Sequence, residues 1–224
     1  MGSRGLSGKG ITSTTKFLKE HRVSWDAKSF RNTEKQRLKS GLRGIQELLQ
    51  DLGVSRNMIP DVTLICEDLR PGTLGACSLN GADDNFNRIS ISEDMSKSTL
   101  RYYDARAQQT YIHEYVHAME SALIKFYMPK VIDRVNAWNG CEFARGIIDK
   151  SIKEIGGSTR YWRRYAGRIS DYAKTDHSEC LAEVGAHYII AKRNNFTGYT
   201  KSEVKFMQTV MKHLRSELKY IKRK

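Results

Sequence analysis

No segment of this chain approaches the roughly 20 consecutive apolar residues that a membrane-spanning helix needs. No apolar core of the kind found in export signals follows Met1 either. These absences argue against a transmembrane protein and favour synthesis in the cytoplasm, with no final destination written in the residues. Cysteine is sparse and scattered: Cys66, Cys77, Cys141 and Cys180 form no C-x-x-C pair. Neither a disulfide framework nor a cysteine-based metal site is suggested, and all four read as ordinary thiols. Internal repeats and strong linkers are missing after residue 10, so one domain is the simplest count. The Gly/Ser-rich residues 1–10 are expected to form a flexible segment outside it. The domain then runs over 11–224, with a basic helical region at 11–53 and a core at 60–224.

Acidic residues are too few to balance the basic ones: 25 Asp and Glu stand against 38 Lys and Arg, a formal charge of +13. Residues 1–44 hold 11 Lys/Arg and 3 Asp/Glu, and residues 201–224 hold 8 and 2, so the ends supply +14 and the middle −1. A basic periphery on a near-neutral body suits docking to something acidic, such as nucleic acid, a membrane surface or an acidic protein. The alternative is a set of solvated helix faces that only keep the protein in solution.

The hydrophobic 39% of the chain is enough for a packed core, and its periodicity locates the elements. Leu38, Leu42, Ile45, Leu49 and Leu52 mark one face of a helix over 33–52, with Gly53 placed to end it. Residues 61–66, 72–80 and 87–92 have the β-branched or alternating character of strands, and the cluster Gly81-Ala-Asp-Asp-Asn between the last two reads as a turn. A small twisted sheet ending in a hairpin is therefore expected. Its segment Leu74–Leu79, with Gly75 and Ala76, is a candidate edge to which an extended peptide can add as a further strand. Beyond Pro129 a helix is expected over 143–155. The basic and aromatic run Tyr161–Arg168 reads as a half-buried loop or a cleft wall rather than a base-stacking platform. The stripe Val204, Met207, Met211, Leu214, Leu218 and Ile221 marks a C-terminal helix packed on the core.

The stretch that carries chemistry is His113-Glu114-Tyr115-Val116-His117. Two histidines four apart project from one helix face about a turn from each other, so both rings can meet a single metal ion. Glu114 lies about 100° round the helix, able to reach a water beside that ion without being a ligand. No Pro or Gly interrupts Thr99–Tyr127, and Ile112, Val116, Met119 and Leu123 form the buried stripe such a helix requires. A catalytic zinc site usually takes a third protein ligand. Glu179, Glu183 and His187 fall on one stripe of a helix over 176–187. Glu179 is the preferred ligand and Glu183 a hydrogen-bond partner for a zinc-bound histidine; Glu183, His177 and His187 remain alternatives.

H-E-x-x-H followed at a distance by E-x-x-x-E is similar to the pattern of gluzincin metallopeptidases. More narrowly, Tyr172-Ala-Lys-Thr-Asp-His-Ser-Glu179-Cys-Leu-Ala-Glu183 resembles the catalytic domain of anthrax lethal factor and its bacterial relatives, including Pro-Pro endopeptidases, in which a tyrosine stands seven residues before the glutamate ligand. The resemblance covers roughly residues 60–224. It implies an α+β, zincin-like metallopeptidase domain: a small twisted sheet, an active-site helix and a mostly helical C-terminal half. It further implies a zinc endopeptidase acting on a protein or peptide, with Zn²⁺ on His113, His117 and Glu179, Glu114 as general base, Glu183 behind the ligands and Tyr172 donating to the oxyanion. The 61 residues between His117 and Glu179 exceed the thermolysin-type gap, so the helix at 143–155 is expected as an insertion. The competing expectation, of a different class, is a nucleic-acid-associated or structural protein of a phage or mobile element, built on a zincin scaffold and working through its basic termini. An exported effector acting on a host protein is a further context.

Overall fold

The computed structural model describes residues 8–55, 61–78, 88–98 and 102–221. The turn cluster at 81–85 lies outside the described residues, as do the first seven residues and the last three. Helix α1 (Gly8–Glu20) leads into a three-residue strand, β1 (Val23–Trp25), and then into α2 (Lys35–Leu52). Glu34 accepts the Gln36 N–H at the start of α2, and Gly53 ends it as the periodicity anticipates. Leu42, Ile45, Leu48, Leu49 and Leu52 turn inward along one side. At roughly 25 cal/mol per Å² of apolar surface, burying such a stripe is what holds an amphipathic helix in place.

Strands β2 (Val62–Glu67), β3 (Gly75–Ser78) and β4 (Arg88–Ser92) complete a four-stranded mixed sheet in the order β1-β2-β4-β3. β1 pairs with β2 and β2 with β4 in parallel, while β3 runs antiparallel to β4 with Gly75 opposite Ile91 and Ser78 opposite Arg88. A parallel pair needs a crossover, and α2 supplies the one between β1 and β2. The three strands anticipated from alternation are present. β1 is too short for alternation to reveal, and the parallel pairings are not a property of local pattern. The described part of β3 is the outer strand of the sheet, as expected for Leu74–Leu79.

The remaining chain is helical: α3 (Glu93–Lys97), α4 (Tyr102–Tyr127), α5 (Val131–Asn139), α6 (Glu142–Glu154), α7 (Trp162–Ala166), α8 (His177–Arg193) and α9 (Lys201–Ile221). The class is α+β. The long α4 is the axis of the molecule, packing against α2, α8, β3 and β4. Its burial on several sides explains the near-continuous inward row Tyr111–Met119. α8 crosses it closely at Gly185, where an added Cβ would lie 2.7 Å from Val116 Cγ2. α6 and α9 close the far side with Ile147, Ile148, Ile152, Phe206, Met207, Val210, Met211 and Leu214. In the Tyr161–Arg168 run the rings are already engaged: Trp162 stacks on His177 at 4.0 Å, and Arg163 lies over Trp162 and Arg168 over Tyr165. All four cysteines are free thiols. Among the described residues no helix is long and apolar enough to cross a membrane.

Candidate metal centre

α4 and α8 bring the anticipated residues together. From α4, His113 and His117 turn their Nε2 atoms toward each other at 3.1 Å. From the first turn of α8, Glu179 Oε2 lies 3.0 Å from His113 Nε2 and 3.5 Å from His117 Nε2. Asp176 fixes that turn by capping the helix, accepting the Glu179 N–H at 2.8 Å. Glu179 Oε2 is buried and faces both ring nitrogens. Two ring nitrogens and a carboxylate oxygen thus converge on one point, and together they can hold a metal ion.

Each ring is held from behind. His113 Nδ1 bonds Glu183 Oε1 at 2.9 Å. His117 Nδ1 meets Ser178 Oγ at 3.1 Å, and that hydroxyl donates to Glu120 Oε2 at 2.5 Å. His187 is not among the converging groups: its Nδ1 meets the Tyr199 hydroxyl at 2.6 Å and its Nε2 lies 3.5 Å from Glu183 Oε2, so it braces Glu183 instead. His177 faces Trp162.

The charges follow from this packing. Burial opposes ionisation of Glu179, but His113 and His117 outweigh it and hold the carboxyl down at about 2. Burial likewise opposes ionisation of Glu183, and hydrogen bonds from His113, His187 and Ser170 hold it well below the usual carboxylate range. His113 is pushed the opposite way. Burial disfavours its charged form, but Glu179 and Glu183 raise it well above the ordinary imidazole value. Glu114 and Glu120, buried with less compensation, are both raised.

The converging groups open on a cleft of about 450 Å³ whose lining includes Gly75, Ala76 and Cys77 of β3, Glu114, Trp138, Tyr172 and Asp176. No Lys or Arg is among its described lining residues, which leaves the histidines to face its carboxylates. Glu114 sits beside the three donors rather than among them, its carboxylate taking a hydrogen bond from the Cys77 backbone. The absence of a side chain at Gly75 makes that room: a Cβ there would stand 2.7 Å from Glu114 Cγ and 2.9 Å from its Oε1. Tyr172 is 55% exposed at the cleft mouth. Its ring is 5.8 Å from that of His113, and its hydroxyl is pushed up to about 12, first by burial and then by Glu179. Trp138 of α5 also lines the cleft, 5.9 Å from the His117 ring.

Sequence reasoning missed Glu120, Ser178 and Trp138. Glu120 had a signal, since it stands three residues after His117 on the same helix face, and Ser178 directly precedes the ligand candidate. Trp138 had none, because the turn between α4 and α5 sets where it falls. Comparison with models of known families, with curated proteins and with solved structures finds no match, which leaves geometry and chemistry to carry a functional assignment.

Proposed function

We propose that the protein is a zinc-dependent endopeptidase with a zincin-like domain, similar to the lethal factor catalytic domain in its motifs. The observation that carries this reading is the triangle of His113 Nε2, His117 Nε2 and Glu179 Oε2, with sides of 3.1, 3.0 and 3.5 Å. Ligands about 2.1 Å from a tetrahedral ion would stand about 3.4 Å apart, so the triangle has the size of one face of such a shell, and its three residues line the cleft. Two imidazoles and one carboxylate form the donor set of catalytic zinc in several hydrolases.

A bound zinc ion would supply Lewis acidity toward the scissile carbonyl and the attacking water. The chain supplies the rest. The edge strand β3 offers backbone groups to an extended peptide beside the donors. Glu114 accepts the proton of the attacking water and passes it to the leaving amine, and its raised carboxyl is poised nearer neutrality for both steps. Tyr172 stays protonated at neutral pH and can donate to the oxyanion.

The test is elemental mass spectrometry on wild type, Glu179→Ala and Glu183→Ala, followed by a peptide-library screen. About one zinc per chain in the wild type is expected, absent in Glu179→Ala and weakened in Glu183→Ala. A wild type that holds no zinc after supplementation would sink the reading.

A further inference from the structure

The two histidines are anchored differently. At Nδ1, His113 faces a carboxylate directly, whereas His117 reaches one through a hydroxyl. We propose that Glu120 and Ser178 are positioning residues that act through His117 to set its ring and tautomer for metal binding. The proposal rests on the metal-site reading above.

The geometry is directional. Glu120 is 1% exposed, so its two oxygens need partners inside the protein. Oε1 accepts the Ala144 N–H at 3.2 Å and Oε2 accepts the Ser178 hydroxyl at 2.5 Å. With its hydrogen committed to Glu120, Ser178 Oγ turns a lone pair toward His117 Nδ1 at 3.1 Å. Nδ1 is then the protonated nitrogen, and Nε2 keeps its lone pair for the point where His113 and Glu179 also converge. A metal-binding imidazole needs this division of labour between its nitrogens.

The relay also ties the site to the helix that separates the two motifs. Cys141, the residue before α6, is left-handed with φ 50° and offers no side-chain cap. Glu120 of α4 supplies the missing acceptor, placing a carboxylate at that helix start. One side chain thus joins α4, α6 and α8 at the floor of the site. A purely structural strut would need only the Ala144 bond; the orientation of Ser178 toward His117 is the additional feature.

Glu120→Gln separates the two roles. The amide oxygen can still accept from Ala144, which leaves its NH₂ facing Ser178. The serine oxygen then becomes an acceptor, its hydrogen swings toward His117 Nδ1, and the ring is driven to the wrong tautomer. Zn²⁺ and Co²⁺ affinity of the full-length metal-free protein would be measured by competition with a chromophoric chelator for wild type, Glu120→Gln, Ser178→Ala, the double variant and Ser178→Thr, with Co²⁺ spectra and thermal melts of each. Loss of a partner behind a metal ligand typically weakens affinity about 10- to 100-fold. Each single variant should fall in that range, the double variant should be no weaker than the worse single, and Ser178→Thr, which keeps the hydroxyl, should stay near wild type. Wild-type affinity and spectrum in both single variants would overturn the proposal alone, as would losses that multiply in the double. A wild type that binds neither ion would overturn the metal-site reading itself.

Discussion

Adding one methyl group at Gly75 tests the proposed role of Glu114 separately from the proposed metal site. The new Cβ would stand 2.7 Å from Glu114 Cγ, 2.8 Å from Thr110 Cγ2 and 2.9 Å from Glu114 Oε1, against the 3.4 Å at which ordinary contact begins. Gly75 is not in the left-handed region, so alanine brings no backbone strain of that kind, and the conflict must be relieved by side chains. Glu114 is the more flexible neighbour and has to retreat by about 0.7 Å. Misplacing a reacting group by about 1 Å costs roughly 100-fold, so a proportional loss here is on the order of 20- to 30-fold in kcat, or about 2 kcal/mol of transition-state stabilisation. His113, His117 and Glu179 make no contact with this position closer than Glu114 and Thr110, so zinc content and affinity should stay within about twofold of wild type.

The assay compares kcat for wild type and Gly75→Ala on a fluorogenic peptide drawn from the library screen, with zinc measured on the same preparations. A fall in kcat with zinc retained supports the placement of Glu114 between β3 and the donors. Unchanged kcat would show that Glu114 does not need this position, and loss of zinc would show that β3 and the ligands move as one unit. Either result refutes the reasoning.

Glu114→Gln should keep the zinc stoichiometry and lower kcat by about 100- to 10,000-fold, the usual worth of a general base, read by the same two measurements. Zinc binding near pH 7 should release about one proton per site, because Glu179 and Glu183, against the effect of burial, hold His113 protonated in the metal-free protein. Calorimetry in buffers of different ionisation enthalpy would read that proton, and zinc affinity should rise with pH as the competing proton leaves; a pH-independent affinity would count against it. For stability of the metal-free fold the sign is reversed. The contribution of the protonated ring is fully present below the ordinary value of 6.5 and is lost as pH rises through the raised one, which thermal melts with chelator at several pH values would follow. Gly185→Ala should overpack the α4–α8 crossing, where the Cβ meets Val116 Cγ2 at 2.7 Å. The expected cost is about 1–3 kcal/mol, or roughly 2–12 °C in Tm for a chain of this size; an unchanged Tm would mean that the two helices can part freely.

The local parts of the fold were legible because their causes are local. A stripe every three or four residues locates α2, α6 and α9, and strand alternation locates β2 and β4, without knowledge of anything distant. β1 is three residues long, shorter than any period can be read from, and it exists because the β2 edge offers Val62–Leu64 as partners. The basic ends show the same limit. Arg37 is buried and donates to the Met95 and Ser98 carbonyls. Arg215 pairs with Asp51, and Lys212 with Glu154. Charges that read as free docking groups are in part cross-links between elements far apart in the chain. No periodicity reveals that Lys212, itself exposed, also meets Glu154.

In the site, spacing carried the inference only as far as one helix reaches. His113 and His117 share a turn, so four residues fix how their rings meet. Glu179 and Glu183 share another, so their order along α8 decides which can point at the donors and which at the back of His113. The relation between the two helices depends on Gly185 letting Val116 close in and on Asp176 holding the first turn of α8 in place. Glu120 was overlooked because a carboxylate one turn beyond a histidine pair looks like a solvated face until α6 and α8 cover it. Covering it is also what gives it leverage over His117. A buried acceptor with both oxygens committed has no rotamer to spare, so the orientation it imposes on Ser178, and through Ser178 on His117, is rigid in a way that no exposed residue at the same spacing could match.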